Sequence, residues 1–453
     1  MMKIMLVIGG LLVSALAQAA VTETEAAKLG AELTPVGAEK AGNREGSIPQ
    51  WKGGQLDAPA GWSPGKPRPD PYANEKPLFS IDAGNVDQYK NRLSAGQVEL
   101  VKSTKSYRMD IYPSHRSCGY PDYYYQRTRI NAASAELSQD GIHLAKALGA
   151  ATPFPIPKNG NEAMWNHKLK WQGEGFVWPM VTVVPPKGSP GIGEPLISDE
   201  YMTSPMWSPK NMGVADAKGI EFYYLSPFRS PPSIAGDTTL LHYNLAKPND
   251  MWIYFASQRR VRRAPTYQYD APILNYENLM VMDQYLLFNG QLDRYDFRLS
   301  GKKEMYVPYN WYKVNSTRNR IEDVAGHDFL NRDMARYELH RVWVVEATVK
   351  PGMRHVFPKR VLYIDEDSWH IILADLYDAQ GKVQRVMEAG VYMAWEVPAC
   401  IDEAYASYDL AAGRYVMDRF PAEQQEPDFL AARQGRLKES LFDPDGLRRF
   451  SNR

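Results

Sequence analysis

The chain has 453 residues, with 53 Lys and Arg against 53 Asp and Glu and 44% hydrophobic side chains. That length suits one large domain or two to three ordinary ones. The balanced charge speaks against a nucleic-acid partner, which draws on a basic excess.

The first segment, residues 1–19, reads as a cleavable export signal. Lys3 precedes an apolar run from Ile4 to Leu16, and Ala17-Gln18-Ala19 offers the small-x-small pattern for cleavage after Ala19. The run is shorter than the roughly 20 residues of a membrane span. No Cys follows it, so the expectation is an exported, soluble chain without a lipid anchor.

Residues 20–80 form an expected N-terminal arm. Thr22 to Leu29 reads as a short helix. From Pro35 to Pro77 there are eight Pro and seven Gly without helical or strand periodicity. Ile48, Trp51, Leu56, Trp62 and Tyr72 give this stretch apolar anchors that a disordered tail lacks.

A main domain is expected over 81–420 and a polar, partly helical tail over 421–453. Asp87 to Ser94 and Ala95 to Ser103 read as helices. Asn131 to Gly149, rich in Ala and Leu and closed by Gly, reads as a longer one. The second half reads as strands. Trp252 to Phe255 and Arg259 to Arg263 flank a turn at Ser257-Gln258. Glu338 to Lys350 alternates, and Val361 to Ile364, Trp369 to Tyr377 and Lys382 to Val397 follow across turns at 365–368 and 378–381. Short turns with Asp and Gly between such runs mean antiparallel hairpins. The fold class expected is α+β, mainly antiparallel β: a large curved, unclosed sheet with helices on its concave face. Incomplete helical cover of a sheet leaves an apolar cavity, the usual form of a small-molecule site.

Motifs for catalysis are missing. There is no Gly-x-Ser-x-Gly elbow, no His-Glu-x-x-His, no phosphate loop and no dinucleotide fingerprint, so neither an enzyme nor a cofactor is expected. The eight His are scattered. His340 and His370 sit on strands that can be neighbours, and Asp365-Glu366-Asp367 reads as an acidic turn rather than a metal loop. Cys118 and Cys400 either form one disulfide or stay as two buried thiols.

Two groups point to ligand binding. Arg259, Arg260, Arg262 and Arg263 place four guanidinium groups in five residues, and Arg grips oxyanions in a bidentate fork. In a strand, Arg259 and Arg263 share one face and Arg260 and Arg262 the other. The alternative is a charged edge strand that resists aggregation. Trp252, Tyr254, Trp343 and Trp369 are candidates for an apolar lining, in a chain where 28 Tyr and 11 Trp exceed 14 Phe.

Several strings are distinctive. They include Asn43-Arg44-Glu45-Gly46-Ser47-Ile48-Pro49, Pro153-Phe154-Pro155-Ile156-Pro157, Trp165-Asn166-His167 and Arg260-Val261-Arg262-Arg263-Ala264-Pro265. Later ones are Asp283 through Phe288-Asn289-Gly290 to Asp293-Arg294-Tyr295-Asp296, Gly301 to Asn310, and His340 to Thr348. In this order they resemble a Gram-negative exported family of unknown function, often described as outer membrane lipoprotein-sorting proteins and related to the LolA/LolB carriers. The resemblance covers nearly the whole chain after the signal. It implies a LolA/LolB-like half-barrel with helices as a lid and a cavity for acyl chains. It implies a periplasmic location and genetic proximity to resistance-nodulation-division exporters and a β-barrel-like partner. It carries no catalytic residues. The function expected is a non-enzymatic carrier or chaperone for a lipid-like molecule. The alternative is a structural adaptor between an inner-membrane exporter and an outer-membrane partner, with Trp51 and Trp62 exposed for docking.

Overall fold

A computed structural model describes residues 21–264 and 268–451. The export signal and its cleavage position after Ala19 lie outside the described residues. In chain order the strands are β1 (Phe79–Ile81), β2 (Met109–Ile111), β3 (Glu136–Leu137), β4 (Leu144–Lys146), β5 (Gly175–Val183), β6 (Leu196–Thr203), β7 (Ile220–Ser230), β8 (Thr238–Asn244), β9 (Asp250–Phe255) and β10 (Arg260–Arg263). They continue with β11 (Tyr295–Pro308), β12 (Tyr337–Val349), β13 (Lys359–Asp365), β14 (Ile371–Tyr377), β15 (Val383–Ala389), β16 (Tyr392–Ala394), β17 (Ala399–Ile401), β18 (Tyr405–Asp409) and β19 (Arg414–Phe420). The α-helices are short: α1 (Glu23–Ala26), α2 (Val86–Tyr89), α3 (Ala95–Ser103), α4 (Asp122–Ser134), α5 (Gly160–Lys168), α6 (Ile321–Val324) and α7 (Pro444–Ser451).

Fifteen strands join in one sheet, ordered β1-β2-β12-β13-β14-β15-β18-β19-β5-β6-β7-β8-β9-β10, with β11 on β12. Pairing is antiparallel apart from one parallel contact of Tyr337 with Ile111. The path ends at β1 and β10 without closing, so the fold is a curved, open antiparallel sheet with few helices. The hairpin rhythm seen in the sequence follows from its turns. Between β14 and β15 the Asp378 carboxylate accepts the backbone N–H of Gln380 and of Lys382, both at 2.9 Å, and Gly381 takes φ +77°. An Asp side chain and a glycine thus supply the two things such a reversal needs.

Over its central strands the sheet is buried on both faces. Along β19, Val416 enters one core cluster while Tyr415 and Met417 enter another. Strands buried on two faces need cover on two sides. Helices α4 and α5 pack in the first cluster, and α2, α3 and α6 in the second. Helix α3 carries a capping box between Ser94 and Gln97. The Asp375 carboxylate of β14 seals that helix start, accepting Ser94 Oγ at 2.8 Å and the Gly96 N–H at 3.0 Å. A Cβ at Gly96 would lie 2.1 Å from Asp375 Oδ1, so the approach requires glycine.

The helix expected over 131–149 is not formed. Helix α4 runs instead from Asp122 to Ser134, and a small β3–β4 hairpin follows. Ser138-Gln139-Asp140-Gly141 is a turn, with the Asp140 side chain accepting the Ile142 N–H at 2.9 Å and Gly141 at φ +69°. Turn chemistry outweighs helix propensity there.

The N-terminal arm is docked against the sheet. Trp51 is buried, and its indole N–H donates to the Cys118 carbonyl at 2.9 Å. Trp62 is half-buried edge-on against Trp395 at 5.2 Å. This corrects the expectation that both rings are exposed for docking: aromatic area of that size finds cover within the chain. Arg68 pins the arm. Its guanidinium lies 4.8 Å from the Trp62 ring, 5.1 Å from Trp395 and 5.5 Å from Tyr392, and it pairs with Glu396 at 2.7 Å. The tail is also less polar in its role than in its composition. Phe429, Phe442 and Leu447 are buried, and α7 packs with Tyr254 and Val261 on the outer side of β9–β10.

Cys118 and Cys400 form a disulfide, with Cα atoms 5.5 Å apart.

Candidate functional site

The site is built on strands β7, β8 and β9, whose period-two alternation aims one set of side chains inward. Tyr224, Leu241 and Met251 stand opposite one another in one cross-strand row. Ser226, Thr239 and Ile253 form the next. With Met180 of β5, Glu200 of β6 and Phe255 of β9 they wall a recess. Ile273, Leu274, Tyr276, Met282 and Tyr285, from the segment after β10, roof it, while Tyr405, Asp418 and Arg419 make its floor. The recess has a cavity volume of about 120 Å³. That is close to the roughly 150 Å³ apolar cavity that takes up benzene and below the about 300–1,000 Å³ of drug-sized sites.

The roof is held by buried charge. Arg360 of β13 donates to both oxygens of Asp283, at 2.7 and 2.9 Å, and His355 lies 3.0 Å from the same carboxylate. Burial alone pushes the Asp283 carboxyl up, but Arg360 and His355 overcome it and hold the group below the usual carboxylate range. Arg385 of β15 donates to Gln284 Oε1 at 2.7 Å and to the Asn278 carbonyl at 2.9 Å. Leu286 and Leu287 adopt left-handed backbone, φ +49° and +68°, which bends the roof back over the sheet.

The floor is acidic. Arg419 is ion-paired with Glu200 and Glu403 and lies 4.7 Å from the Tyr285 ring centre. Burial pushes the Glu200 carboxyl up to about 7 against the pull of Arg419. Asp418 accepts hydroxyls from Thr182 at 2.5 Å, Tyr405 at 2.5 Å and Tyr276 at 3.0 Å. Burial raises its carboxyl despite these three donors. A ligand in this recess meets aromatic and aliphatic walls and a fixed polar base.

The four aromatic residues expected to line a cavity do not line this one. Trp252 and Tyr254 point to the opposite face of β9, where they pack with the α7 cluster. Their neighbours Met251, Ile253 and Phe255 take the inner positions. The run is aromatic or aliphatic at every position from 251 to 255, so its alternation does not declare which set faces in. Trp343 stacks on Trp369 at 6.2 Å with Lys302 4.6 Å over its ring, and the Trp369 indole donates to the Val36 carbonyl at 3.0 Å. These two seat the N-terminal arm. The arginine cluster divides. Arg259 sits in the turn at φ +49° and Arg263 pairs with Asp250 at 2.5 Å beside Trp252. Arg260 and Arg262 are exposed at the edge of the inner face.

The acidic turn is buried rather than exposed. Arg116 donates to both Asp367 oxygens, at 2.8 and 2.7 Å, and Lys302 lies 2.8 Å from Glu366. His340, Asp365 and Asp367 bring ligand-type atoms within 4.8 Å of one another. His340 Nε2 is 3.0 Å from Glu338, and His370 Nδ1 is 2.8 Å from Asp402, so the two histidines serve different carboxylates. These groups form a buried ion network beside the disulfide, where Tyr309 donates its hydroxyl towards Cys118 Sγ at 3.1 Å.

Among the described residues, no helix is long and apolar enough to cross a membrane. An open antiparallel sheet that folds a roof over an apolar recess defines the class of this protein: a cavity-bearing open-sheet protein. Residues 80–448 match the family described as a protein of unknown function, DUF1329, and the chain belongs to that family. It is 39% identical to the uncharacterized protein PA3922 of Pseudomonas aeruginosa over 456 residues, covering 98% of each chain. Among solved structures it is similar to a domain from Vibrio parahaemolyticus described as an outer membrane lipoprotein-sorting protein. That likeness has a TM-score of 0.43 and 14% identity, over 64% of this chain and 98% of that one. A DUF1329 family protein from Desulfovibrio piger gives a TM-score of 0.40 and 15% identity, over 61% and 92%. The LolA superfamily protein NE2245 from Nitrosomonas europaea gives 0.35 and 12%, over 64% and 100%.

Proposed function

We propose that this chain is a non-enzymatic periplasmic carrier for a hydrophobic or lipid-like molecule, held in the recess between β5–β9 and the 273–285 roof. The observation that carries the reading is the recess itself, walled by Met180, Leu241, Met251, Ile253 and Phe255 and roofed by a segment clamped through Arg360 and Arg385. Burial of an acyl chain is favourable by about 0.8 kcal/mol per CH₂. Ten methylenes supply roughly 8 kcal/mol before ordering costs, enough for useful binding without covalent chemistry. The segment 1–19, read as an export signal, supports the periplasmic location, where such a carrier would pass cargo between inner- and outer-membrane partners. The test is native mass spectrometry and lipid extraction on protein purified without detergent, with uptake of a fluorescent fatty-acid analogue. Wild type is expected to carry or take up such a molecule, and Leu241→Trp or Ile253→Trp to exclude it while keeping the native circular dichroism. A wild-type protein that is empty and takes up no probe ends the reading.

A further inference from the structure

Charge is distributed unevenly between the floor of the recess and its rim. At the floor, Glu200 and Asp418 stand beside a single lining cation, Arg419, whose guanidinium is already engaged by Glu200 and Glu403. An anion brought to that floor is desolvated with no uncommitted cation to receive it. Asp237, nearer the mouth, adds a further carboxylate and accepts the Ala256 N–H at 2.8 Å.

On its β10 side the rim has the opposite sign. In the β9–β10 register Arg262 stands opposite Ile253, and Arg260 opposite Phe255. Directly opposed residues of an antiparallel pair project from the same face. Ile253 and Phe255 line the recess, so the inner row Ser226–Thr239–Ile253 ends at Arg262. The Arg262 guanidinium lies 5.8 Å from the Phe255 ring centre and donates to Gln258 Oε1 at 2.6 Å. Among the described residues neither Arg260 nor Arg262 has a carboxylate partner. Their neighbours differ: Val261 and Arg263 stand opposite Tyr254 and Trp252, on the outer face where α7 packs.

We infer that the ligand is an anionic amphiphile bound tail first, its oxyanion head held at the rim by Arg260 and Arg262. This rests on the carrier reading and adds to it the sign of the head and its orientation. The floor offers a head-first anion no free cation, and the paired arginines, the residue type that forks oxyanions, receive the head where the apolar wall ends.

The test uses the full chain and four probes below their micelle concentrations: dodecyl phosphate, dodecanol, dodecyltrimethylammonium and inorganic phosphate. Wild type is expected to bind dodecyl phosphate roughly tenfold or more tightly than the ammonium, as a charge-assisted contact predicts. Arg260→Ser with Arg262→Ser should weaken dodecyl phosphate by about the same factor and leave dodecanol unchanged. Arg259→Ser with Arg263→Ser should leave all four unchanged. All four side chains are exposed, so neither double variant threatens the core. Three results overturn the inference while sparing the carrier reading: equal affinity for phosphate and ammonium amphiphiles, no effect of the Arg260/Arg262 pair, or dodecanol binding with no head preference. Inorganic phosphate binding as tightly as dodecyl phosphate overturns it as well, because the tail would then contribute nothing. Failure of every alkyl probe, dodecanol included, overturns both.

Discussion

Replacing both cysteines, Cys118→Ala with Cys400→Ala, removes a bridge between residues 282 positions apart in sequence. In the chain-entropy treatment, a closed loop of that length restrains the unfolded chain by about 19 cal/mol/K, or about 5–6 kcal/mol at 25 °C. The native state loses little else. Both side chains are buried; the Cys118 carbonyl still accepts Trp51 and the Cys400 carbonyl His370 Nε2 at 3.0 Å, while the Tyr309 hydroxyl, which loses Cys118 Sγ, keeps Asp365 at 3.3 Å. At roughly 2.1 cal/mol/K per residue, the roughly 430 residues that follow the expected signal segment have an unfolding entropy near 0.9 kcal/mol/K. The double variant should therefore melt about 6 °C below wild type, by calorimetry at matched concentration and pH. Guanidinium titration should show the same loss with a larger m value, because the untethered denatured chain exposes more surface. Ellman titration of unreduced, denatured wild type should find no free thiol. Two thiols in that titration, or a variant melting within about 2 °C of wild type, would refute the reasoning.

Arg360→Met leaves the Asp283 carboxylate buried with only His355 beside it. It should cost about 3–5 kcal/mol in urea denaturation and raise amide exchange across 273–287. Arg68→Ala empties the aromatic box of Trp62, Tyr392 and Trp395 and orphans Glu396; a loss of roughly 3 kcal/mol and faster proteolysis of the arm are expected. Stability should fall as pH rises from about 4 to about 7, apart from the paired carboxylates that lose stability in stronger acid. The reason is that burial pushes Asp375 up to about 6 and Glu200 up to about 7, from 3.8 and 4.5. The native state then holds protons that the unfolded chain has released, so their stabilisation is present below the unfolded values and lost through the folded ones. Asp375→Asn should flatten the slope between pH 4 and 6 in melts across a pH series, an effect on the order of 3 kcal/mol.

Local signals served well wherever structure is local. The hairpins from β13 to β15 follow from strand runs joined by the turns at 365–368 and 378–381, and α3 forms where Ala95 to Ser103 reads as a helix. The arm was legible as ordered because Trp51 and Trp62 are too apolar to leave in water, though not legible as docked on this chain. What escaped is set by distant partners. The acidic turn at 365–367 looks solvated until Arg116 and Lys302, far off in sequence, are placed against it. The roof escaped for a related reason. Its clamps, Arg360 and Arg385, belong to strands that follow it by dozens of residues, and the left-handed Leu286 and Leu287 carry no glycine or asparagine to announce them.

The arginine cluster shows how far parity reaches and where it stops. Alternation alone separates Arg260 and Arg262 from Arg259 and Arg263, and the β9–β10 register preserves the first pair and the Arg263 side of that division. Alternation cannot say which pair faces the recess, because a one-residue slip exchanges the two faces of a strand. On β9 the choice is made by neighbours. Leu241 and Thr239 of β8 place Met251 and Ile253 inward, while Tyr254 and Val261 face Leu447 of the tail. The tail helix thus acts on the site from the far side of the sheet. By burying Tyr254 and partly covering Trp252 outside, it commits Ile253 and Phe255 to the recess wall, and with them Arg260 and Arg262 to its rim.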